Sequence, residues 1–218
     1  MDKEKIKVFL DVDDTILKSS EAIIKILNEK YKIRPQKNIG HLRDWNYKSI
    51  CRDVTLDDIE EIFKSDQFFD IVEIDNDFLE FYKNNQNMID FVFLTKGTPE
   101  NLKKKEDYLK SVLGSEIEYI GLPFKIVCEE DECNCKLDLK NYKKSSINMR
   151  HCIQIDDRVE CLEDTNAPIK ILYKKYSDHY QNRDYLNISN LYVVNSWQEI
   201  IQILEFAYNQ HFIFKKCK

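Results

Sequence analysis

Apolar positions along the chain gather into short runs that alternate with stretches of helical period. Ile6, Val8, Phe9 and Leu10 form a run of the kind carried by a strand buried on both faces. Similar runs at 88–95, 124–128, 152–155, 169–173 and 191–194 predict five more strands. Between them, Ser19 or Ser20 caps a helix carrying Ile23, Ile26 and Leu27 on one face. Thr55 and Asp58 make a capping box ahead of Leu56, Ile59, Ile62 and Phe63, and a further helix covers 76–84. Thr98-Pro99-Glu100 opens a helix that turns Leu102, Leu109, Val112 and Leu113 to the sheet and closes at Gly114. Ser145 caps a short helix, and Ser196 with Glu199 boxes the last one, which buries Ile200, Ile203, Leu204 and Ala207. The polar stretch 129–144 reads as a loop or hairpin. Strands alternating with helices predict an α/β fold with a doubly wound, mainly parallel, Rossmann-like sheet. Helical segments at 18–70 interrupt the β-α-β progression, which makes them an insertion.

The first strand runs directly into Asp11-Val12-Asp13-Asp14-Thr15. In an extended chain residues i and i+2 point the same way, so Asp11 and Asp13 are expected to converge on one spot. Carboxylates that close repel unless a cation or a proton lies between them, and such an arrangement suits chemistry better than stability. Doubly wound sheets bind ligands at the carboxyl ends of their strands, where Asp11, Thr95 and Asp156 all fall.

The order of these elements carries a resemblance. An apolar strand, then Asp11-x-Asp13-x-Thr15, a strand ending in Thr95, a lysine, and a strand ending in Asp156-Asp157 resembles the haloacid dehalogenase-like (HAD) superfamily over residues 6–157. Trp45-Asn46-Tyr47, Asp66-Gln67-Phe68-Phe69, Ile155-Asp156-Asp157-Arg158 and Asn195-Ser196-Trp197 make it most similar to the 5′(3′)-deoxyribonucleotidases. The resemblance implies an HAD-like core at 1–17 and 71–218, with a helical cap at 18–70 inserted after the first strand. It further implies a Mg²⁺-dependent phosphomonoesterase working through an aspartyl phosphate, with a (deoxy)nucleoside monophosphate as substrate.

In that reading Asp11 is the nucleophile, and Asp13 protonates the leaving group and then activates water. The Thr95 hydroxyl and the Lys96 N–H hold phosphate oxygens. Lys144 is the lysine of the third motif, with Lys143 a competitor and Lys125 a weaker one. Mg²⁺ is held by Asp11, by Asp156 directly with Asp157 either a ligand too or one layer out, and by the backbone carbonyl of Asp13. Asp14 stands where many relatives have Gly, and Asp13 stands where dehalogenases generally have no carboxylate. Trp45, Tyr47, Phe68 and Phe69 could stack on a base or ring, although any single one suits the core of a small cap better. A sugar phosphate, a nucleic-acid terminal phosphate or a phosphomutase reaction would use the same motifs, and a non-catalytic phosphate binder would share the fold. Response-regulator receivers also combine Asp, Thr and Lys on a doubly wound sheet, but their phosphoacceptor ends the third strand.

Composition narrows the partners. The chain has 218 residues, 43% of them hydrophobic and 33% charged, enough for one α/β domain with a modest insertion. The net charge of −6 argues against a nucleic-acid duplex. Lys103-Lys104-Lys105 and the basic residues Lys215, Lys216 and Lys218 read as solvated faces. No apolar run reaches membrane-spanning length and the start has no signal-peptide pattern, so the expected location is cytoplasmic. The seven cysteines are then reduced thiols. Cys128, Cys133 and Cys135 form C-x4-C-x-C without the second pair a zinc site needs, and His41, His151, His179 and His211 lack metal-ligand spacing. A homodimer is compatible with all of this.

Overall fold

A computed structural model describes residues 4–128, 135–138, 143–174, 176 and 188–216. Its strands are β1 (Ile6–Leu10), β2 (Ile89–Gly97), β3 (Glu118–Pro123), β4 (Lys125–Cys128), β5 (Cys135–Asp138), β6 (Cys152–Asp156), β7 (Ile169–Tyr173) and β8 (Leu191–Val194). The helices are α1 (Ser19–Lys30), α2 (Leu56–Lys64), α3 (Asp66–Ile71), α4 (Asn76–Asn85), α5 (Pro99–Leu113), α6 (Val159–Glu163) and α7 (Trp197–Lys216). Six strands form one sheet in the order β3-β2-β1-β6-β7-β8, and every neighbouring pair is parallel. The doubly wound α/β architecture read from the alternation of patterns is the one observed.

Strand β1 sits in the middle, and its period-two pattern faces two cores. Val8 and Leu10 join Phe91, Phe93, Ile153 and Ile155 on one side, while Phe9 packs with Val92, Leu94 and Met149 on the other. The first of these cores is continuous with α1, α2 and α3 through Ile23, Leu27, Ile59, Ile62 and Phe68. Where the chain leaves for these helices and where it returns, the two backbones lie side by side. Lys18 N donates to Glu73 O at 2.8 Å and Asp75 N to Ile16 O at 2.7 Å.

Several local expectations need correction. The run at 124–128 does form a strand, but β4 pairs antiparallel with β5 in a separate two-stranded sheet. The edge place in the main sheet belongs to β3, whose half-buried side chains make a weak apolar signal. A Cβ on Gly121 there would lie 3.1 Å from Leu102 Cδ1, so α5 packs against bare backbone. Ser19 and Ser20 lie inside the first turn of α1, after Lys18, and their hydroxyls bond Asp13 and Asp14 instead of capping. Ser145 falls inside a single 3₁₀ turn, Lys144–Ser146, whose N-cap is Lys143. Thr98 is the N-cap of α5, but its hydroxyl donates to Glu60 of α2. The boxes at Thr55/Asp58 and Ser196/Glu199 form as read. Of the C-x4-C-x-C cysteines, Cys133 and the side chains of Cys128 and Cys135 lie outside the described residues, as do His179 and the side chain of His211. Among the described residues, no helix is long and apolar enough to cross a membrane.

Helix α7 packs beside α4. Trp197, 1% exposed, packs against Phe78 and Tyr173 with ring centroids 5.0 and 6.1 Å away, and its Nε1 donates to Thr15 O at 3.2 Å. Trp197→Ala should therefore lower unfolding free energy by about 3–5 kcal/mol. Trp197→Phe, which orphans only the Thr15 carbonyl, should cost about 1–3 kcal/mol. Urea midpoints measured at constant slope check both values.

Candidate active site

Three adjacent strands, β2, β1 and β6, deliver their carboxyl ends to one place. Asp11 follows directly on β1, its backbone N–H held by Ile155 O at 3.0 Å. Thr95 lies near the end of β2, and Asp156 ends β6. Oxygens of Asp11, Asp156 and Asp157 come within 4.8 Å of one another, and all three residues are buried. Lys144, 3% exposed, reaches in from the 3₁₀ turn. Its ammonium donates to Asp11 and, at 2.6 Å, to Asp156 Oδ2. Lys143 points elsewhere, to Asp164 at 3.4 Å.

Burial sets the electrostatics. It raises the Asp11 carboxyl; the Lys144 ammonium pulls the other way, Asp156 and Asp13 add to the rise, and the result is about 6. Burial and the charges of Asp11 and Asp156 push Asp157 well above the ordinary carboxylate range. Burial opposes charge on Lys144 as well, but Asp11 and Asp156 outweigh it and keep the ammonium charged. Asp11 and Asp156 thus share the Lys144 ammonium, and Asp157 lies beside them with the Arg158 charge easing its rise. All-oxygen donors of this kind suit a hard divalent ion, which takes one or two carboxylates and fills its shell with water and phosphate oxygens.

Asp13 takes a different course. Strand β1 ends at Leu10, and the Asp13 carboxylate, whose charge helps to raise Asp11, has partners of its own. It accepts from Ser19 Oγ at 2.7 Å and from the Lys105 ammonium. Asp14 follows at φ 54°, a left-handed conformation in which Gly is easiest and Asp is tolerated. Its buried carboxylate is anchored by Ser20 N at 2.8 Å and by Ser20 Oγ, and burial lifts it to about 7. Asp at position 14 therefore fits here.

Lys105 is the residue that the pattern reading missed. Lys103 and Lys104 pair with Asp107 and Asp66 at the surface, but Lys105 is 1% exposed. Its place on the stripe of Leu102 and Leu109 was the available signal, since positions 102, 105 and 109 share one helical face. Thr95 is buried beside it, with Oγ1 accepting from Lys105 Nζ at 3.2 Å. The Lys96 ammonium lies 3.9 Å from Cys161 Sγ.

The aromatics separate. Phe68 and Phe69 pack in a ring cluster with Phe63 and Tyr108. Tyr47 is buried with its hydroxyl 2.8 Å from Ser20 Oγ. Trp45, 45% exposed, is the one that presents a large free surface.

No protein-family model and no curated protein sequence matches the chain. Solved structures do. A haloacid dehalogenase-like family hydrolase from Streptococcus pneumoniae covers 91% of this chain and 98% of its own at 12% identity, with a TM-score of 0.55. The HAD-hydrolase YfnB from Bacillus subtilis, bound to magnesium, covers 93% and 99% at 14% identity and 0.55. A HAD family hydrolase from Deinococcus radiodurans with bound phosphate and sodium covers 95% and 98% at 13% identity and 0.52. The chain has the haloacid dehalogenase-like fold. In the HAD-like fold of this chain, the buried carboxylate cluster lies at the carboxyl ends of the central strands.

The cluster's stability should follow protons and metal in opposite ways. Because the folded values of Asp11 and Asp14 stand above ordinary ones, their contribution is full below about pH 4. It is lost as pH rises through about 6 to 7. In chelator, melting temperature should fall over that window. A divalent ion bound only by the folded chain should restore about 2.7 kcal/mol at a hundred times its dissociation constant. Thermal scans across pH with Mg²⁺ or chelator read both effects.

Proposed function

We propose that this chain is a Mg²⁺-dependent phosphomonoesterase that forms a phosphoenzyme on Asp11 and acts on nucleoside monophosphates in the cytoplasm. The observation that carries the reading is the division of labour between two carboxylates two residues apart. Asp11 lies among Lys144, Asp156 and Asp157, whereas the Asp13 carboxylate accepts from Ser19 and Lys105. A nucleophile and an acid need different surroundings, and these two have them.

Asp11, Asp156 and Asp157 would hold the metal with the Asp13 carbonyl; bound there, it offsets the charge that sets a carboxylate against a phosphate ester. Asp11 forms a bond to phosphorus as the bond to the leaving oxygen breaks. Asp13 gives its proton to that oxygen, then takes one from the water whose attack releases Asp11 and inorganic phosphate. Lys144 stabilises negative charge on Asp11 and on the transferring group. The Thr95 hydroxyl and the Lys96 N–H hold phosphate oxygens. Removal of a halide would need no proton on the leaving group, and the presence of Asp13 favours phosphate chemistry. The magnesium and phosphate named for two proteins of the same fold accord with this reading. The helices between residues 18 and 70 act as a cap, and the exposed Trp45 stacks on the base.

A hydrolysis screen over nucleoside monophosphates and sugar phosphates with Mg²⁺ tests the substrate class. Asp11→Asn should lower turnover on the order of a thousandfold or more and abolish acid-stable labelling from ³²P substrate. Asp13→Asn should cost most with nucleosides as leaving groups and least with an activated aryl phosphate. Trp45→Ala should reduce kcat/KM for the best nucleotide by about five- to a hundredfold while nearly sparing the aryl phosphate. Uniform inactivity across the screen would remove the phosphatase reading.

A further inference from the structure

We infer that Lys105 is a positioning residue that sets both Asp13 and Thr95 for the reaction, an inference that rests on the phosphatase reading. Three observations lead to it. Lys105 belongs to α5, outside the motif elements, yet its side chain is fully buried and ends between β2 and the loop after β1. An ammonium has three hydrogens, and each finds an acceptor here. Asp13 Oδ2 takes one, Thr95 Oγ1 another at 3.2 Å, and Lys96 O the third at 3.2 Å. The Phe63 ring of α2 covers the cation with its centroid 5.3 Å from Nζ.

Burying a cation is costly unless it is paired and hydrogen-bonded. A surface lysine would not accept that cost, and Lys103 and Lys104 beside it do not. Full saturation by acceptors leaves Lys105 no hydrogen for a substrate, so it acts on the site through its partners.

Its effect on Asp13 is geometric. Ser19 Oγ holds Oδ1 and Lys105 holds Oδ2, so the carboxylate is gripped at both oxygens. Only then does its rotamer stay fixed while the carboxyl gives a proton to the leaving oxygen and later takes one from water. The effect on Thr95 concerns direction. A hydroxyl oxygen that accepts from an ammonium must send its own hydrogen elsewhere. The protein acceptors near it, Asp13 Oδ2 and Lys96 O, are both at 3.5 Å, the outer limit for such a bond. Thr95 thus keeps a donor available for a phosphate oxygen. One buried lysine sets the acid and the phosphate holder together, while Lys144 serves the nucleophile and the metal carboxylates.

Lys105→Met keeps the aliphatic stem and removes the charge and all three donors. The variant is to be assayed with Mg²⁺ on the best nucleoside monophosphate and on an aryl phosphate, and its crystal structure determined. The expected kcat/KM loss is on the order of a hundredfold for the nucleotide, at least about ten times the loss for the aryl phosphate. The Asp13 carboxylate is expected to swing away from Thr95. Lys105→Gln, which keeps a donor without the charge, should recover part of the loss, and it carries the same measurements if the Met variant does not fold. Equal losses on both substrates, or an Asp13 carboxylate unmoved in the variant, would overturn the inference. A wild-type chain that cleaves neither substrate removes the phosphatase reading, and the Asp13 position in Lys105→Met then decides the positioning claim by itself.

Discussion

Negative charge buried at the carboxyl end of the central strand is the constraint to which the rest of the structure answers. Burial removes the water that would screen Asp11, Asp156 and Asp157 from one another, and it holds the Asp11 and Asp157 carboxyls above their usual range. Two lysines arrive from elements distant in sequence. Lys144 comes from a 3₁₀ turn before β6, and Lys105 from the middle of α5. Each goes to a different part of the acidic group, Lys144 to Asp11 and Asp156 and Lys105 to Asp13. Asp11 and Asp13, two residues apart, thus have different cations as partners, while the charge of Asp13 still helps to raise Asp11.

The helices between β1 and β2 are tied to this arrangement by polar contacts as well as by the shared apolar core. On α2, Glu60 accepts from Thr98 and the Phe63 carbonyl accepts from Asn101 Nδ2 at 2.8 Å. The Phe63 ring lies over Lys105. Burial raises the Glu60 carboxyl above its usual range. The side of the insertion that faces α5 is therefore not an oily surface that slides freely; it is keyed to α5 at named groups.

How far the pattern of residues foretold this depended on whether a signal was local. Strand β1, the Thr55/Asp58 box and the turn at Gly114 are specified by neighbours within a few residues, and they stand as read. The carboxyl-end placement of Asp11, Thr95 and Asp156 followed from strand order and was equally legible. Strand β3 was missed because an edge strand buries only part of each side chain, which blurs the alternation. The choice of Lys144 over Lys143 and the inward turn of Lys105 depend on contacts made more than ninety residues away, to Asp11 and Asp13. A run of three lysines looks alike whether its third member faces water or a carboxylate. Only the spacing from Leu102 to Leu109 carried the difference, and charge masked it.

The strand order has a consequence for how the molecule is made. Strand β1 lies between β2 and β6, and its pairing with β6 joins Lys7 to Cys152. During synthesis its first neighbour is available after about ninety residues, but its second only after some sixty more. Until then one edge of β1, with the acidic loop at its end, has no backbone partner on that side. Trp197, from still later in the chain, then seals the loop at Thr15. Contacts of such long sequence separation slow folding. A nascent chain of this protein would hold the three carboxylates of Asp11, Asp13 and Asp14 beside an unpaired strand edge on the ribosome until β6 has been made.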